Sequence, residues 1–252
     1  MQVISISNQK GGCGKTATAQ NMGALLSNSR RVLLIDTDPQ SSLTDATLAS
    51  RPAGATLADV LRGTKIADAI NQIHKNLDIV PADISLASVE LELVSKIGRE
   101  NILRRALAGL DYDLAIIDCP PSLSLLTLNA LTAARGVLIP TQPQAQDLRG
   151  LALFMDTIKQ IREVLNPALE VIGILPTFFD GRLNHHRQAL ETMSAAGLPV
   201  MDVYIKRSVR IAEAAGLSKS LQEYDPSNPQ GESYKKLSEV IIQWLLAKES
   251  KL

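Results

Sequence analysis

Residues 9–18, with the sequence Q-K-G-G-C-G-K-T-A-T, constrain the fold more than any other part of the chain. They follow an apolar, β-branched run at residues 3–6 and lead into a helical pattern that begins near Lys15. A strand, a glycine-rich turn and a helix in this order direct backbone N–H groups toward a phosphate. The pattern therefore predicts a phosphate-binding loop at the end of the first strand.

Each residue type in this loop suits one part of a nucleotide. Gly11, Gly12 and Gly14 let the main chain wrap closely around a ligand, because no Cβ obstructs it. Lys15 is placed to reach the β- and γ-phosphates, and the Thr16 hydroxyl is placed to hold Mg²⁺. A glycine-rich turn that only joins a strand to a helix is the alternative, and the closing G-K-T disfavours it.

The start of the loop departs from the usual P-loop pattern. A glycine is expected five residues before Gly14, and Gln9 stands there instead. A second lysine, Lys10, follows at once. The loop pattern alone assigns this lysine no role.

Composition indicates the class of fold. Hydrophobic residues make up 45% of the 252 residues, whereas aromatic residues make up only 3%. The core must therefore be aliphatic, as is typical of parallel strands covered by helices. The alternation of apolar runs with helical patterns predicts an α/β fold, doubly wound, with a mostly parallel sheet and helices on both faces. We expect residues 1–252 to form a single domain with its ligand site at the carboxyl ends of the strands.

The predicted elements are short strands alternating with longer helices. The predicted strands are residues 3–6, 32–35, 77–80, 114–117, 136–139, 171–175 and 200–204. The predicted helices are residues 18–27, 57–61, 85–94, 98–110, 123–133, 148–165, 208–215 and 232–247. Residues 181–196 are predicted to be a loop that runs into a further helix. Elsewhere between residues 41 and 76 the pattern is too irregular to place an element.

Charge and cysteine content limit the environment. The formal net charge is zero, so no global field draws the chain onto nucleic acid or membrane, and such binding would need a local patch. The two cysteines, Cys13 and Cys119, form no metal-ligand spacing, which favours a reduced, cytoplasmic protein. We expect no signal peptide and no membrane-spanning segment. His185 and His186 are adjacent near a helix start, where we expect them to face solvent or a partner.

Three aspartates follow apolar strands, where a sheet of this type places its chemistry. Asp118 fits a Walker B carboxylate that holds Mg²⁺ through water. Asp36 and Asp38 lie two residues apart, so strand alternation would send both to the same side. One of the pair would support the Mg²⁺ shell and the other would orient an attacking water. A single such aspartate is more often a cap or turn residue, but three of them beside a P-loop favour a nucleotide site.

Several ordered motifs together resemble the ParA/MinD group of deviant-Walker P-loop ATPases, and within it the short ParA proteins of the Soj type. The motifs are K-G-G-C-G-K-T, D-T-D-P-Q, D-C-P-P-S, I-P-T-Q-P, F-D-G-R-L-N, K-R-S-V-R-I-A-E-A and Y-D-P. They span nearly the whole chain. The resemblance implies an enzyme that hydrolyses ATP to ADP and phosphate with Mg²⁺.

The resemblance also implies an ATP-dependent homodimer with both nucleotides at the interface. Lys10 would reach across to the phosphates of the other subunit and stabilise charge there. The implied catalytic residues are Lys10, Lys15 and Asp38. The implied cofactor-binding residues are Lys10, Gly11, Gly12, Cys13, Gly14, Lys15, Thr16 and Ala17, and the implied metal-site residues are Thr16, Asp36 and Asp118. Family members commonly carry Thr or Ser where this chain has Ala17, so nucleotide affinity would be weaker.

Partners and location follow from the same resemblance. The dimer would bind DNA without sequence preference, and a ParB-like partner protein would stimulate hydrolysis and release it. The residues that match the DNA face are Arg182, Lys206, Arg207 and Arg210. Phosphate contacts by such residues give binding that weakens steeply as salt rises. This implies a cytoplasmic, nucleoid-associated protein of plasmid or chromosome partition.

Two alternatives share much of this mechanism. A related ATPase could position a protein organelle or other cargo on the nucleoid, and the residues do not separate these cargos. A MinD-like ATPase would instead act at a membrane surface through a basic amphipathic C-terminal helix. Val240, Ile241, Trp244 and Leu245 fall at helical spacing, but the polar face is not strongly basic. We therefore expect that helix to dock on the core and no stable membrane association.

Overall fold

A seven-stranded sheet organises the computed structural model, which describes residues 1–51 and 53–249. The strands are β1 Gln2–Ile6, β2 Val32–Asp36, β3 Asn71–His74, β4 Leu77–Val80, β5 Leu114–Asp118, β6 Gly136–Thr141 and β7 Glu170–Pro176. Their spatial order is β3-β4-β2-β5-β1-β6-β7. All neighbouring pairs are parallel except β3 with β4 at one edge. The prediction of a mostly parallel sheet is confirmed.

The helices cover both faces of this sheet. They are α1 Lys15–Leu26, α2 Ser42–Thr47, α3 Leu57–Arg62, α4 Leu86–Leu93, α5 Ile102–Ala106, α6 Leu125–Ala133, α7 Ala145–Val164, α8 Asn184–Ala195, α9 Val209–Gly216, α10 Leu221–Tyr224 and α11 Pro229–Glu249. Two short 3₁₀ turns, Ile66–Ala69 and Arg99–Asn101, complete the regular structure within the described residues.

Strand alternation divides the interior into two cores. In β2, Leu33 and Ile35 face a core that contains residues of α3 to α8, whereas Val32 and Leu34 face one that contains residues of α1, α2, α10 and α11. Each of these β2 side chains is fully buried. Because both faces of the strand are covered, it reads as a continuous apolar run. The doubly wound arrangement is thereby confirmed.

Helix α1 is buried among several other elements. It packs against β2, β5 and α11, and its buried residues lie on several sides. Polar side chains are buried there as well as apolar ones, including Gln20 and Asn21. Both donate hydrogen bonds to backbone carbonyls, so their burial is satisfied.

Some predicted elements differ from the structure. Residues 200–204 do not form a strand: Val200 and Ile205 make only isolated bridges to Ile174 and Thr177 beside the edge strand β7. The single helix expected at residues 98–110 is a 3₁₀ turn followed by the short α5. The antiparallel β3 and helix α2 lie in the stretch whose pattern was too irregular to place.

The closing helix α11 docks on the core as expected. Leu237, Ile241 and Leu245 are buried against α1 and the sheet, and the Trp244 ring lies over the backbone of Gly136. Across residues 1–51 and 53–249, no helix combines the length and the apolar character needed to span a bilayer. The apolar stripe of α11 packs against the core of the protein.

Candidate nucleotide-binding site

The loop between β1 and α1 has the backbone geometry of a phosphate cradle. Gly12 and Gly14 adopt left-handed conformations, with φ of 67° and 88°. Such angles are strained for any residue with a Cβ, which explains glycine at both positions. Helix α1 starts directly after Gly14 and runs for 12 residues, so its N-terminal N–H groups face the loop.

The two residues that follow the glycines are held at this edge by hydrogen bonds. The Lys15 ammonium group is mostly buried and donates to the backbone carbonyl of Lys10 at 3.0 Å. The Thr16 hydroxyl donates to Oδ2 of Asp118 at 2.7 Å. The P-loop lysine, the P-loop threonine and the strand-end carboxylate predicted from sequence therefore converge on one place.

Asp118 offers an oxygen that nothing in the described protein satisfies. It is fully buried, and its Oδ1 has no hydrogen-bond partner among residues 1–51 and 53–249. Burial is the main cause that raises its pKa, and the nearby carboxylate of Asp36 adds to the effect. A buried, unpartnered carboxylate oxygen beside a threonine hydroxyl suits a hard cation such as Mg²⁺. The residues present therefore fit the metal.

Asp36 and Asp38, which were predicted to lie on the same side, have different surroundings. Strand β2 ends at Asp36, so Asp38 already belongs to the following turn and strand alternation no longer applies. Both oxygens of Asp36 accept protein hydrogen bonds: Oδ1 from the Asp38 N–H, and Oδ2 from the N–H and hydroxyl of Thr44. Asp38 is half-buried and lines the cavity beside the loop.

This cavity has a volume of about 480 Å³, within the range of small-ligand sites. The P-loop forms one wall, and Asp38 lies at another side. The remaining wall is partly apolar and includes Phe178, Ile211 and Ala215. Phe178 has a positive φ of 50°, an uncommon conformation for an aromatic residue and one that is enriched at functional sites.

Lys10 lies at the mouth of the loop and is held within its own subunit. Its Nζ donates to Oδ2 of Asp147 at 2.6 Å, to Oε1 of Gln142 at 3.2 Å and to Oε1 of Gln144 at 3.3 Å. Gln142 also donates to the carbonyl of Gly12 at 3.1 Å. The sequence patterns assigned no site role to Gln142, which lies in the I-P-T-Q-P motif, or to Asp147, because their contacts with the loop bridge more than 100 positions.

Two side chains that the sequence reading did not assign also support the loop. Thr177, at the end of β7, donates its hydroxyl proton to the carbonyl of Cys13 at 2.8 Å. Asn8 donates to the carbonyl of Pro140 at 2.7 Å and accepts from the Lys10 N–H at 3.0 Å. The loop is therefore fastened on both sides to the ends of β6 and β7.

The cysteines are buried and serve as packing residues. Burial is the main cause that raises the pKa of Cys13, and it raises that of Cys119 to about 11. Both thiols therefore stay protonated at neutral pH and are poor nucleophiles. Any contact that Cys13 makes with a nucleotide must come from its backbone.

The basic residues proposed for DNA all lie on the surface, and two of them are paired with acids. Arg182 makes a two-pronged contact with Asp180, and Arg210 pairs with Glu213 at 2.9 Å. The guanidinium of Arg207 lies 5.6 Å from the centre of the Phe178 ring. Exposed ion pairs like those of Arg182 and Arg210 contribute little to stability. These two arginines can therefore exchange their acidic partners for a phosphate at low cost in free energy.

One expectation about the histidines is wrong. His185 is exposed as expected, but His186 is buried, and its Nδ1 accepts a hydrogen bond from the Asp180 N–H at 3.1 Å. Burial lowers the pKa of His186 and keeps the ring neutral. Sequence adjacency misled here because neighbouring helical positions point about 100° apart.

Comparison with known proteins identifies the family to which this chain belongs. A family model described as an AAA domain matches residues 1–171. The chain is 40% identical over 249 residues to the sporulation initiation inhibitor protein Soj of Bacillus subtilis, covering 95% of this chain and 98% of that protein. It is also 40% identical over 251 residues to the chromosome partitioning protein ParA of Caulobacter vibrioides, covering 96% and 94%.

A solved structure shares the whole fold. The cobyrinic acid a,c-diamide synthase of Mycobacterium smegmatis with bound ATP analogue and magnesium superposes with a TM-score of 0.86 at 36% identity, covering 96% of this chain and 94% of that one. The fold and the loop thus define a P-loop ATPase that depends on Mg²⁺. Within that class, the chain belongs to the AAA-domain family that includes the Soj and ParA proteins. The resemblance drawn from the sequence motifs is confirmed.

Proposed function

We propose that this chain, acting over residues 1–252 as one ATPase domain, drives the partition of plasmid or chromosomal DNA. It cycles between an apo or ADP-bound monomer and an ATP-bound sandwich dimer that holds DNA without sequence preference. A ParB-like partner stimulates hydrolysis and releases the DNA. The observation that carries the proposal is the near-full-length similarity to partition proteins of a chain whose P-loop begins with the extra Lys10.

In this proposal the loop and the strand ends divide the work of hydrolysis. The backbone N–H groups from Gly11 to Ala17 cradle the phosphates, and Lys15 exchanges its carbonyl partner for phosphate oxygens. Thr16 and Asp118 would hold Mg²⁺, which would supply neutralisation of charge on the phosphates. Asp36, whose oxygens are already engaged, supports that shell by fixing the turn that carries Asp38.

Asp38 has the role of orienting the attacking water. It lines the cavity beside the loop, and its Oδ1 accepts a hydrogen bond from the Gln40 N–H at 2.9 Å, which fixes the carboxylate. A positioned carboxylate can accept the proton of a water that attacks the terminal phosphate. Lys10 supplies positive charge to the nucleotide of the partner subunit, in the manner of an arginine finger.

The DNA face in this proposal contains Arg182, Lys206, Arg207 and Arg210. All four are exposed, and Arg210 lies in α9, the helix whose Ile211 and Ala215 also line the nucleotide cavity. This shared helix joins the DNA face to the nucleotide. A membrane-surface role is disfavoured because the apolar stripe of α11 is buried in the core. The bound state would be nucleoid-associated within the cytoplasm.

The activity named for the mycobacterial protein is not carried over to this chain. The Soj and ParA relatives match at higher identity and with similar coverage. Positioning of a protein cargo would use the same cycle on the same DNA, so it differs from DNA partition only in the identity of the partner.

The decisive experiment measures binding to DNA duplexes of unrelated sequence with ATP, with ADP and without nucleotide, across a salt series. We expect binding with ATP alone, equal affinity for the different sequences, and a steep loss as salt rises. Arg210→Glu should abolish DNA binding while ATP binding persists. Lys15→Ala should abolish DNA binding because the protein no longer binds the nucleotide.

Arg104→Glu is the matched control, because Arg104 is exposed on α5 and belongs to no proposed site. It should bind DNA as the wild type does. Equal DNA binding in all three nucleotide states, or ATP-dependent binding to anionic vesicles and none to DNA, would contradict the proposal.

A further inference from the structure

Lys10 is saturated by acceptors of its own chain. An ammonium group has three donors, and the three acceptors of Lys10 are the side chains of Gln142, Gln144 and Asp147. All three come from one segment, which runs from the end of β6 into the first turn of α7. In the proposed function Lys10 contacts the nucleotide of a second subunit, whereas here it is bound by side chains of its own subunit.

Asp147 is the strongest of the three acceptors. Its oxygen lies 2.6 Å from the ammonium nitrogen, within the range of short charge-assisted hydrogen bonds. The Asp147 side chain is only 9% exposed, so water screens the pair weakly. Its position in the first turn of α7 places the carboxylate where the helix dipole favours negative charge.

The movable part of Lys10 is its side chain. The backbone is fixed by the hydrogen bond that the Lys10 N–H donates to Oδ1 of Asn8. The side chain remains 29% exposed, so it has a path to solvent. Breaking three contacts to one segment is enough to swing the amine outward without unfolding the loop.

We propose that Asp147 is a positioning residue that holds Lys10 inside its own subunit and so opposes closure of the ATP-bound dimer. The inference rests on the proposed function for the role of Lys10 across the dimer interface. The phosphates of a second subunit's nucleotide compete with Asp147 for the same ammonium group. Dimerisation then requires that the intrasubunit pair be exchanged for an intersubunit one.

Two measurements on Asp147→Asn test this. The first is dimerisation with a slowly hydrolysed ATP analogue, followed by light scattering over a range of protein concentrations. The variant should dimerise at roughly tenfold lower concentration, because the ion pair between Lys10 and Asp147 no longer stabilises the monomer. The second is acylation of Lys10 by an amine reagent in nucleotide-free protein, quantified by peptide mass spectrometry against Lys159. The variant should react several-fold faster at Lys10.

The controls separate charge from fold. Asp156→Asn makes the same change at an exposed position of the same helix and should leave both readouts at wild-type values. Asp147→Glu keeps the carboxylate and should retain most of the restraint. Unchanged Lys10 labelling in Asp147→Asn would overturn the inference, and so would faster labelling with dimerisation that is unchanged or weaker. If Lys10 labelling rises but neither the wild type nor any variant dimerises with nucleotide, the proposed function is wrong. The proposed effect of Asp147 on dimerisation is then wrong as well.

Discussion

Two buried carboxylates lie side by side at the ends of neighbouring strands, and their contacts give them different roles. Asp36 of β2 and Asp118 of β5 are register partners, and both are fully buried. Among residues 1–51 and 53–249, Asp36 has three donors, whereas Asp118 has one donor and a buried oxygen without a partner. The first carboxylate is therefore built into the protein, and the second remains open to an external ligand.

Asp36 should make stability depend on pH. Burial outweighs its hydrogen bonds and raises its pKa from 3.8 to about 6. The folded chain thus holds this proton at pH values where the unfolded chain has lost it, and acidification from pH 7 to pH 5 relieves the cost of the buried charge. The free energy of unfolding of the wild type, minus that of Asp36→Asn, should rise by about 1 kcal/mol over this range.

Urea denaturation of both proteins at pH 7 and pH 5 measures this difference. Asp156→Asn, which alters an exposed carboxylate of α7, serves as the reference for nonspecific charge effects. A difference between wild type and Asp36→Asn that stays constant between the two pH values would show that Asp36 ionises normally in the folded protein.

At the scale of elements, α11 shows how one helix face is chosen. Leu245 is completely buried, and its neighbour Leu246 is 52% exposed, although the two residues are chemically identical. The interior also contains Tyr234 of the same helix, which is buried near Thr18 of α1. The helix is thereby packed against the P-loop helix α1.

Replacing these two leucines should have very different effects. Leu245→Ala leaves a cavity in the core and should lower the free energy of unfolding by about 2–5 kcal/mol. Leu246→Ala removes an exposed side chain and should change it by no more than about 0.5 kcal/mol. Chemical denaturation of both variants measures the contrast, and similar losses from the two would mean that α11 does not dock in this orientation.

At the scale of the whole molecule, the strand order brings distant segments to one edge of the sheet. The P-loop follows β1, Asp38 follows β2, and Asp118 ends β5, and these three strands are adjacent in the order β2-β5-β1. Their carboxyl ends therefore meet at one place, where an α/β sheet binds its ligand. The segment after β6, which contains Asp147, lies beside the same edge.

Asp38→Ala should separate ATP binding from hydrolysis. The phosphate-binding loop, Thr16 and Asp118 are untouched, so ATP binding persists, while loss of the water-orienting carboxylate should slow turnover about 100-fold or more. The ATP-bound dimer should then accumulate, as measured by light scattering with ATP. Asp45→Ala, an exposed change in the nearby α2, should turn over ATP normally. A strictly monomeric Asp38→Ala with bound ATP would count against the dimeric cycle.

Much of the fold and the centre of the site could be predicted from local sequence. The buried runs that became β2 and β5 are continuous aliphatic segments up to their final aspartates, and the loop sequence alone indicated Lys15 and Thr16. Residues 41–76 and 200–204 could not be placed well, because edge strands and short helices depend on packing partners more than on their own periodicity. The inward position of His186 was also missed, because it depends on which way α8 docks.

The class of this protein can be inferred from its amino-acid sequence without a structure. Phosphate and Mg²⁺ chemistry has local requirements: glycines at positions of positive φ, a lysine and a threonine at fixed spacing, and aspartates at strand ends. These features can be recognised in the sequence before the fold is known. The tertiary structure determines that Thr44 donates to Asp36, whereas Oδ1 of Asp118 has no partner within the described part of the chain. It also decided that Lys10 is held by Asp147, 137 positions along the chain. Such pairings depend on which strand ends the sheet brings together, and no local pattern contains that information.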